Sequence, residues 1–321
     1  MAKKISSSEA TYFLGFDGGG TKTECVLADA EGHILARATA GPSNPLRTGY
    51  TRAWFALSDA ADVVLSHQKI RAGHIAGVYA GLGGAGREGV VRRATTFFEQ
   101  AYPNAKVHVT TDLEIALEAA FGTGAGMILL AGTGSAAFGR DANGRTARAG
   151  GRGPWFSDEG SAFYIGRRAF EAVVRAEEKR GPDTALRKRL FAWHQARDWD
   201  SLLDQVAKNA DDVFPKTFPL VAELADKGDE VAREILSGAA VLLVELAVSV
   251  ATQLGWHERD IPIAKVGGVY GRSKHFDAKI QAELSTKLPQ SRNIAVKISP
   301  AEAAVRSAIR LSQVKGNAAR I

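Results

Sequence analysis

Gly15-Phe16-Asp17-Gly18-Gly19-Gly20-Thr21-Lys22-Thr23 joins two apolar runs, residues 12–16 and 23–27, that read as strands. Three consecutive glycines let a backbone approach a ligand closely, with N–H groups free to face phosphate oxygens. Thr21 and Thr23 add hydroxyls and Lys22 adds charge. Asp17, at a strand end, is placed to hold Mg²⁺ through water. The spacing is neither GxxxxGK[ST] nor GxGxxG, so the turn belongs to neither of those nucleotide-binding classes. A Gly-rich hairpin with no ligand is the plainer alternative.

The turn has a counterpart. A shift of 112 positions lays Gly20 on Gly132, Thr21 on Thr133, Asp29 on Asp141, Ala30 on Ala142 and Gly32 on Gly144. Each copy reads strand, Gly-Thr turn, strand, Asp-Ala-x-Gly turn, strand, with glycine supplying the positive φ of the second corner. The first set of strands covers residues 12–16, 23–27, 34–38, 75–80 and 107–110. The second covers 127–131, 136–140, 145–149, 263–266 and 294–298. Helical spacing marks residues 50–67, 89–101, 276–287 and 301–312, and a long helical insertion fills 161–254. Two α/β units in one chain predict two domains, 1–112 and 113–321, with an interdomain cleft and the last helix a candidate to cross back. Clefts between domains are where small ligands are usually buried.

Composition narrows the class. The chain has 321 residues, 45% hydrophobic and 24% charged, enough for two globular domains. Residues 1–10 lack the apolar run of a signal peptide and read as a loose cytoplasmic tail. The most apolar stretch, 239–251, is interrupted by Glu245 and Ser249 and reads as a buried helix, so no membrane partner is expected. Cys25 is the sole cysteine, which excludes a disulfide within one chain and any cysteine-only metal site. The net charge of +6 comes from scattered Lys and Arg without an aromatic-basic stripe, so no nucleic-acid partner is expected. Arg187–Arg189 read as a solvated helix face.

Further polar residues stand at strand ends and turns. Asp112 follows the strand 107–110 and opens a helix, which an acid at that place can cap. Asn44, between Pro42 and Pro45, reads as a turn residue whose amide can both donate and accept. Asp158 and Glu159 are placed to favour the N-terminus of the following helix. Gly267 and Gly268 follow a strand of the second unit and precede a helix.

GFDGGGTKT and AGTGS resemble the phosphate-1 and phosphate-2 motifs of the actin, hexokinase and Hsp70-type superfamily. GPSNP (41–45), TTD (110–112) and GGRGPWFSDEGS (150–161) are similar to the branch containing N-acetylglucosamine kinase and the BadF/BadG/BcrA/BcrD-type ATPases. The resemblance implies two ribonuclease H-like α/β domains, ATP and Mg²⁺ as cofactors, an amino-sugar substrate and a cytoplasmic setting, and leaves room for a homodimer. It implies that Asp112 is the general base toward the sugar's 6-hydroxyl. Asn44, Thr133, Gly151, Asp158 and Ala162 match sugar-binding positions. Gly18, Gly19, Gly20, Thr21, Lys22, Gly132, Thr133, Gly134, Gly267 and Gly268 match nucleotide positions, with Asp17 at the metal. One departure stands out: Arg152 occupies a place where this branch usually has tryptophan, which points to a changed pocket wall. A zinc-bearing ROK-type glucokinase and an iron–sulfur activating ATPase both need cysteines that Cys25 cannot supply. An ATPase or regulatory ATP-binding protein without a sugar is the remaining alternative.

Overall fold

The computed structural model describes residues 11–256 and 260–318, with side chains through residue 313; the tail expected over 1–10 lies outside them. The chain opens as an antiparallel meander, β1 (Tyr12–Gly18), β2 (Thr23–Asp29) and β3 (Ile34–Ala40). Then come α1 (Pro45–Thr48), α2 (Tyr50–Gln68), β4 (Ile75–Leu82), α3 (Glu88–Ala101), β5 (Lys106–Thr111) and α4 (Asp112–Phe121). A second meander, β6 (Gly126–Ala131), β7 (Ser135–Arg140) and β8 (Thr146–Gly150), precedes four helices. These are α5 (Ala162–Glu177), α6 (Ala185–Trp193), α7 (Trp199–Asp226) and α8 (Glu230–Leu254). The chain ends with β9 (Ile261–Val266), α9 (Lys274–Lys287), β10 (Ser291–Asn293) and α10 (Pro300–Ala318).

The two sheets have orders β3-β2-β1-β4-β5 and β10-β9-β6-β7-β8. Reversed, the second becomes β8-β7-β6-β9-β10, which is the first with each strand replaced by its counterpart. The 112-residue shift carries the start of β2 onto that of β7 and the start of β3 onto that of β8. The corner turns match bond for bond. Asp29 N–H donates to His33 O and Gly32 N–H to Asp29 O; Asp141 N–H donates to Arg145 O and Gly144 N–H to Asp141 O. Gly32 and Gly144 stand at φ +88° and +81°, where a side chain would be strained.

Compact packing divides the chain into Met1–Thr123 with Lys297–Ile321, and Gly124–Val296. The division falls after α4 and not at residue 112, because Ile115 of α4 is buried with Phe13, Tyr79, Ala301 and Val305. In the first unit β1 and β4 are covered on both faces, by α2 and α3 on one side and by α4 and α10 on the other. That accounts for an apolar run in β1 where a half-exposed strand would alternate. Cys25 is fully buried here, and burial pushes its thiol upward.

In the second unit the insertion forms α5–α8. α7 kinks at Asn209 (φ −158°, ψ 69°) and carries Pro215 and Pro219. α8 is longer than the apolar stretch 239–251 and is long and apolar enough to cross a membrane. It packs as a core helix, burying Leu236, Ala240, Leu243, Ala247, Val250 and Leu254. The strand expected at 294–298 is instead β10, three residues earlier. Ser291–Asn293 pair with β9, Ile294 N–H makes the last bond to Ile263 O, and the chain then leaves this unit for α10. Arg187 and Arg189 form ion pairs with Glu177 and Glu223 on exposed helix faces.

Candidate active site

In the first unit the polar residues gather at the C-terminal ends of β1, β4 and β5, which run parallel. Asp17 lies opposite Gly81 and Gly81 opposite Thr110, so Asp17 and Asp112 emerge at one sheet edge, a strand apart. Burial first, then repulsion by the Asp112 and Glu24 carboxylates, raises the Asp17 carboxyl to about 7 against the opposing pull of Lys22. Asp112 is not the cap of α4. Thr111 is, its hydroxyl accepting from Glu114 N–H at 3.2 Å, while Asp112 Oδ1 accepts from Leu113 N–H. No group of three or more His, Cys, Asp or Glu side chains suited to a metal occurs among the described residues. The Asp17 carboxyl has the oxygen-donor chemistry of a Mg²⁺ site completed by water and phosphate oxygens.

The glycine turn is stitched to two neighbouring loops. Ser43 and Asn44 donate their N–H groups to Gly19 O, and Gly83 donates to Gly18 O at 2.7 Å. A Cβ on Gly18 would collide with Ser43 Oγ, so that glycine serves the stitching as well as any ligand. Thr23 departs from expectation: it is fully buried and its hydroxyl bonds Gly41 O and Ser43 Oγ, both at 2.7 Å. Thr21 and Lys22 are exposed on the turn.

Asn44 is the turn residue that the sequence allowed. Its Oδ1 accepts from Leu46 N–H at 3.0 Å, capping α1, and its amide nitrogen faces the Gly83-Gly84 loop. Two contributors escaped the sequence reading. Gly83-Gly84 follows β4 as Gly267-Gly268 follows β9, and that pattern would have found it. Arg47 lies over the turn, 2.9 Å from where a Gly20 Cβ would stand, and no motif flags it.

In the second unit Gly132, Thr133 and Gly134 form the turn between β6 and β7. Gly132 O accepts from Ala162 N–H at 2.9 Å and Thr133 O from Phe163 N–H, which seats the turn on the start of α5. Ala162 is itself buried. Asp158 is also buried, at φ +68°, with Oδ1 accepting from Ser135 N–H. Ser161, not Asp158, caps α5. Gly151 follows β8, half-buried, at φ +67°. Gly267 and Gly268 are exposed after β9; Val269 N–H to Ala131 O and Tyr270 OH to Leu129 O tie their loop to β6, beside the Gly132–Gly134 turn.

The model of the BadF/BadG/BcrA/BcrD ATPase family matches residues 14–308. The N-acetyl-D-glucosamine kinase of Dictyostelium discoideum is 30% identical over 274 residues, covering 80% of this chain and 84% of its own. The N-acetylmuramic acid/N-acetylglucosamine kinase of Clostridium acetobutylicum is 26% identical over 298 residues, covering 92% and 97%. A solved structure from Chromobacterium violaceum, described as a candidate N-acetylglucosamine kinase, superposes with TM-score 0.77 at 24% identity, covering 93% of this chain and 99% of that one. At that identity the likeness speaks for the fold, a two-domain α/β ATPase fold with one five-stranded sheet in each domain.

Proposed function

Because the chain belongs to the BadF/BadG/BcrA/BcrD ATPase family, we propose that it transfers the γ-phosphoryl group of ATP to an amino sugar, at the 6-hydroxyl of N-acetylglucosamine or glucosamine. The observation that carries this reading is the pairing of Asp17 and Asp112 at one sheet edge beside the glycine turn. Phosphoryl transfer asks the protein for positioning, charge neutralisation and one base. Asp112 takes the hydroxyl proton as the sugar oxygen bonds to the γ-phosphorus and the bond to ADP breaks. Asp17 would hold Mg²⁺, which when bound would offset charge on the phosphates.

Gly18, Gly19, Gly20, Thr21 and Lys22, with Gly132, Thr133 and Gly134, offer N–H groups, hydroxyls and charge to the phosphates. Gly267 and Gly268 lie against the adenosine. The sugar falls to Asn44, Thr133, Gly151, Asp158 and Ala162. Asn44 uses its amide nitrogen, since its oxygen is held by Leu46. Asp158, as a carboxylate, offers several acceptor positions, one of which takes the bond from Ser135. The curated relatives, named as amino-sugar kinases, support the substrate class. A cytoplasmic setting, where ATP is abundant, accords with it.

The test is ADP release coupled to a spectroscopic readout, with glucose, glucosamine, N-acetylglucosamine and no sugar. Amino-sugar-dependent turnover and a phosphorylated sugar by mass spectrometry are expected. ATP hydrolysis that no sugar accelerates would make the protein a plain ATPase.

A further inference from the structure

The loop from Gly150 to Asp158 contains an arginine that the fold does not use. Arg148 braces this loop: its Nε donates to Gly150 O at 3.2 Å and its Nη2 to Gly151 O. A Cβ on Gly151 would collide with that guanidinium, and Gly151 and Gly153 hold φ +67° and +99°. The chain between them therefore turns sharply and presents Arg152. Arg152 is exposed and has no hydrogen bond or ion pair among the described residues. The acids that follow it in the loop are engaged elsewhere, Asp158 by Ser135 N–H and Glu159 by the Ser157 hydroxyl.

Two aromatics follow it in the same loop. Trp155 is 71% exposed and Phe156 87%. Trp155 is held at one edge by Phe163 of α5, 6.4 Å between ring centres, and Phe163 packs edge-on against Phe214. A braced loop that displays a guanidinium and two rings, and carries Asp158 to the Gly134–Ser135 backbone, has the chemistry of a ligand-facing wall. Aromatic faces suit the apolar face of a pyranose, and a guanidinium suits a carboxylate through paired N–H donors.

We propose that Arg152 is a specificity-determining residue that selects an amino sugar bearing a carboxylate on a ring substituent, with Trp155 and Phe156 against the sugar ring. The proposal rests on the kinase reading above. It makes the preferred substrate an acidic hexosamine, such as one with a lactyl ether, over its neutral parent.

The experiment compares kcat/KM for N-acetylmuramic acid against N-acetylglucosamine, and muramic acid against glucosamine, in the full chain and in Arg152→Met and Arg152→Lys. The wild type is expected to favour the acidic member of at least one pair by tenfold or more, about what charge-assisted hydrogen bonds supply. Arg152→Met should erase that preference by lowering the rate on the acid while sparing the neutral sugar and the KM for ATP, and Arg152→Lys should restore part of it. Phosphorylation of neutral sugars with no acidic preference overturns the proposal and leaves the kinase reading intact. An Arg152→Met defect confined to the KM for ATP also overturns it, moving Arg152 to the nucleotide. Turnover of none of the four sugars removes both.

Discussion

At Asp17 the fold holds a carboxyl that resists ionising. It titrates near 3.8 in a model peptide and at about 7 in the folded chain. Between those values the folded state binds more protons than the unfolded one, so stability falls as pH rises from about 4 to about 7 and then levels off. Asp17→Asn, which never ionises, is expected to match the parent near pH 4 and to exceed it at pH 8 without magnesium, by an upper bound of about 4 kcal/mol. Urea denaturation at the two pH values checks this, and an equal difference at both would refute it. Asp112→Asn should lower kcat at least ~100-fold while sparing nucleotide affinity. Thr111→Ala, which removes the α4 cap, should instead cost about 1 kcal/mol of stability and little turnover. A reversal of those two phenotypes would make Asp112 structural. Asp112 was legible because an acid directly after an apolar strand falls at a sheet edge. The burial of Thr23 was not, since Thr21 and Thr23 flank Lys22 symmetrically in sequence and only the pairing of β2 turns one of them inward.

Short elements carry two duties in this fold, and the duties separate by substitution. α1 is one turn long and depends on Asn44 Oδ1 for its cap. Asn44→Asp keeps that oxygen and loses the amide donor; Asn44→Ala loses both. The aspartate variant is therefore expected to melt within a degree or two of the parent yet show a raised KM for sugar, whereas the alanine variant should lose on both measures, with about 1 kcal/mol of stability gone. Normal sugar KM in Asn44→Asp would remove Asn44 from substrate binding. β1 has a second duty as well. The sequence offers Gly15 as part of the glycine-rich turn, but it lies where β1 meets α10, and a Cβ there would collide with the Ala301 carbonyl and the Val305 amide. Backbone cannot rotate aside, so Gly15→Ala should cost roughly 1–3 kcal/mol or more by denaturation. Gly41→Ala, with nothing within 4 Å, should be near neutral. Strands flanking the two meanders were legible from alternating and continuous apolar runs. β10 was not, because the period-2 pattern continues past residue 293 while the backbone leaves β9 there, although β9 itself runs on to Val266.

On the scale of the chain, the repeat was legible because both copies keep the same turn chemistry at the same spacing. The return of the C-terminus was only half legible: an amphipathic final helix needs a partner, and sequence does not say which sheet supplies it. α10 covers the face of the first sheet that carries Phe13, Val26, Ala28 and Tyr79, contributing Ala301, Ala304, Val305, Ala308 and Ile309. Glu302 forms ion pairs with Arg37 and Arg306, and Ser299 bonds Glu24 beside Asp17 on the neighbouring strand. The first unit is thus built from two distant stretches of chain, while the second, Gly124–Val296, is one continuous stretch with its own core. An asymmetry in folding follows. A fragment of residues 124–296 is expected to unfold cooperatively in urea on its own. A fragment of residues 11–123 should not, because removing α10 exposes Phe13 and its neighbours to water, and burying a large apolar side chain is worth ~1.5–3 kcal/mol against a total stability of ~5–15. Adding a peptide of residues 297–321 should restore a cooperative transition to the shorter fragment. The comparison is made by far-UV circular dichroism and limited proteolysis. A cooperative transition in residues 11–123 without the peptide would mean that α10 is dispensable, and would leave the discontinuity of the first unit without energetic weight.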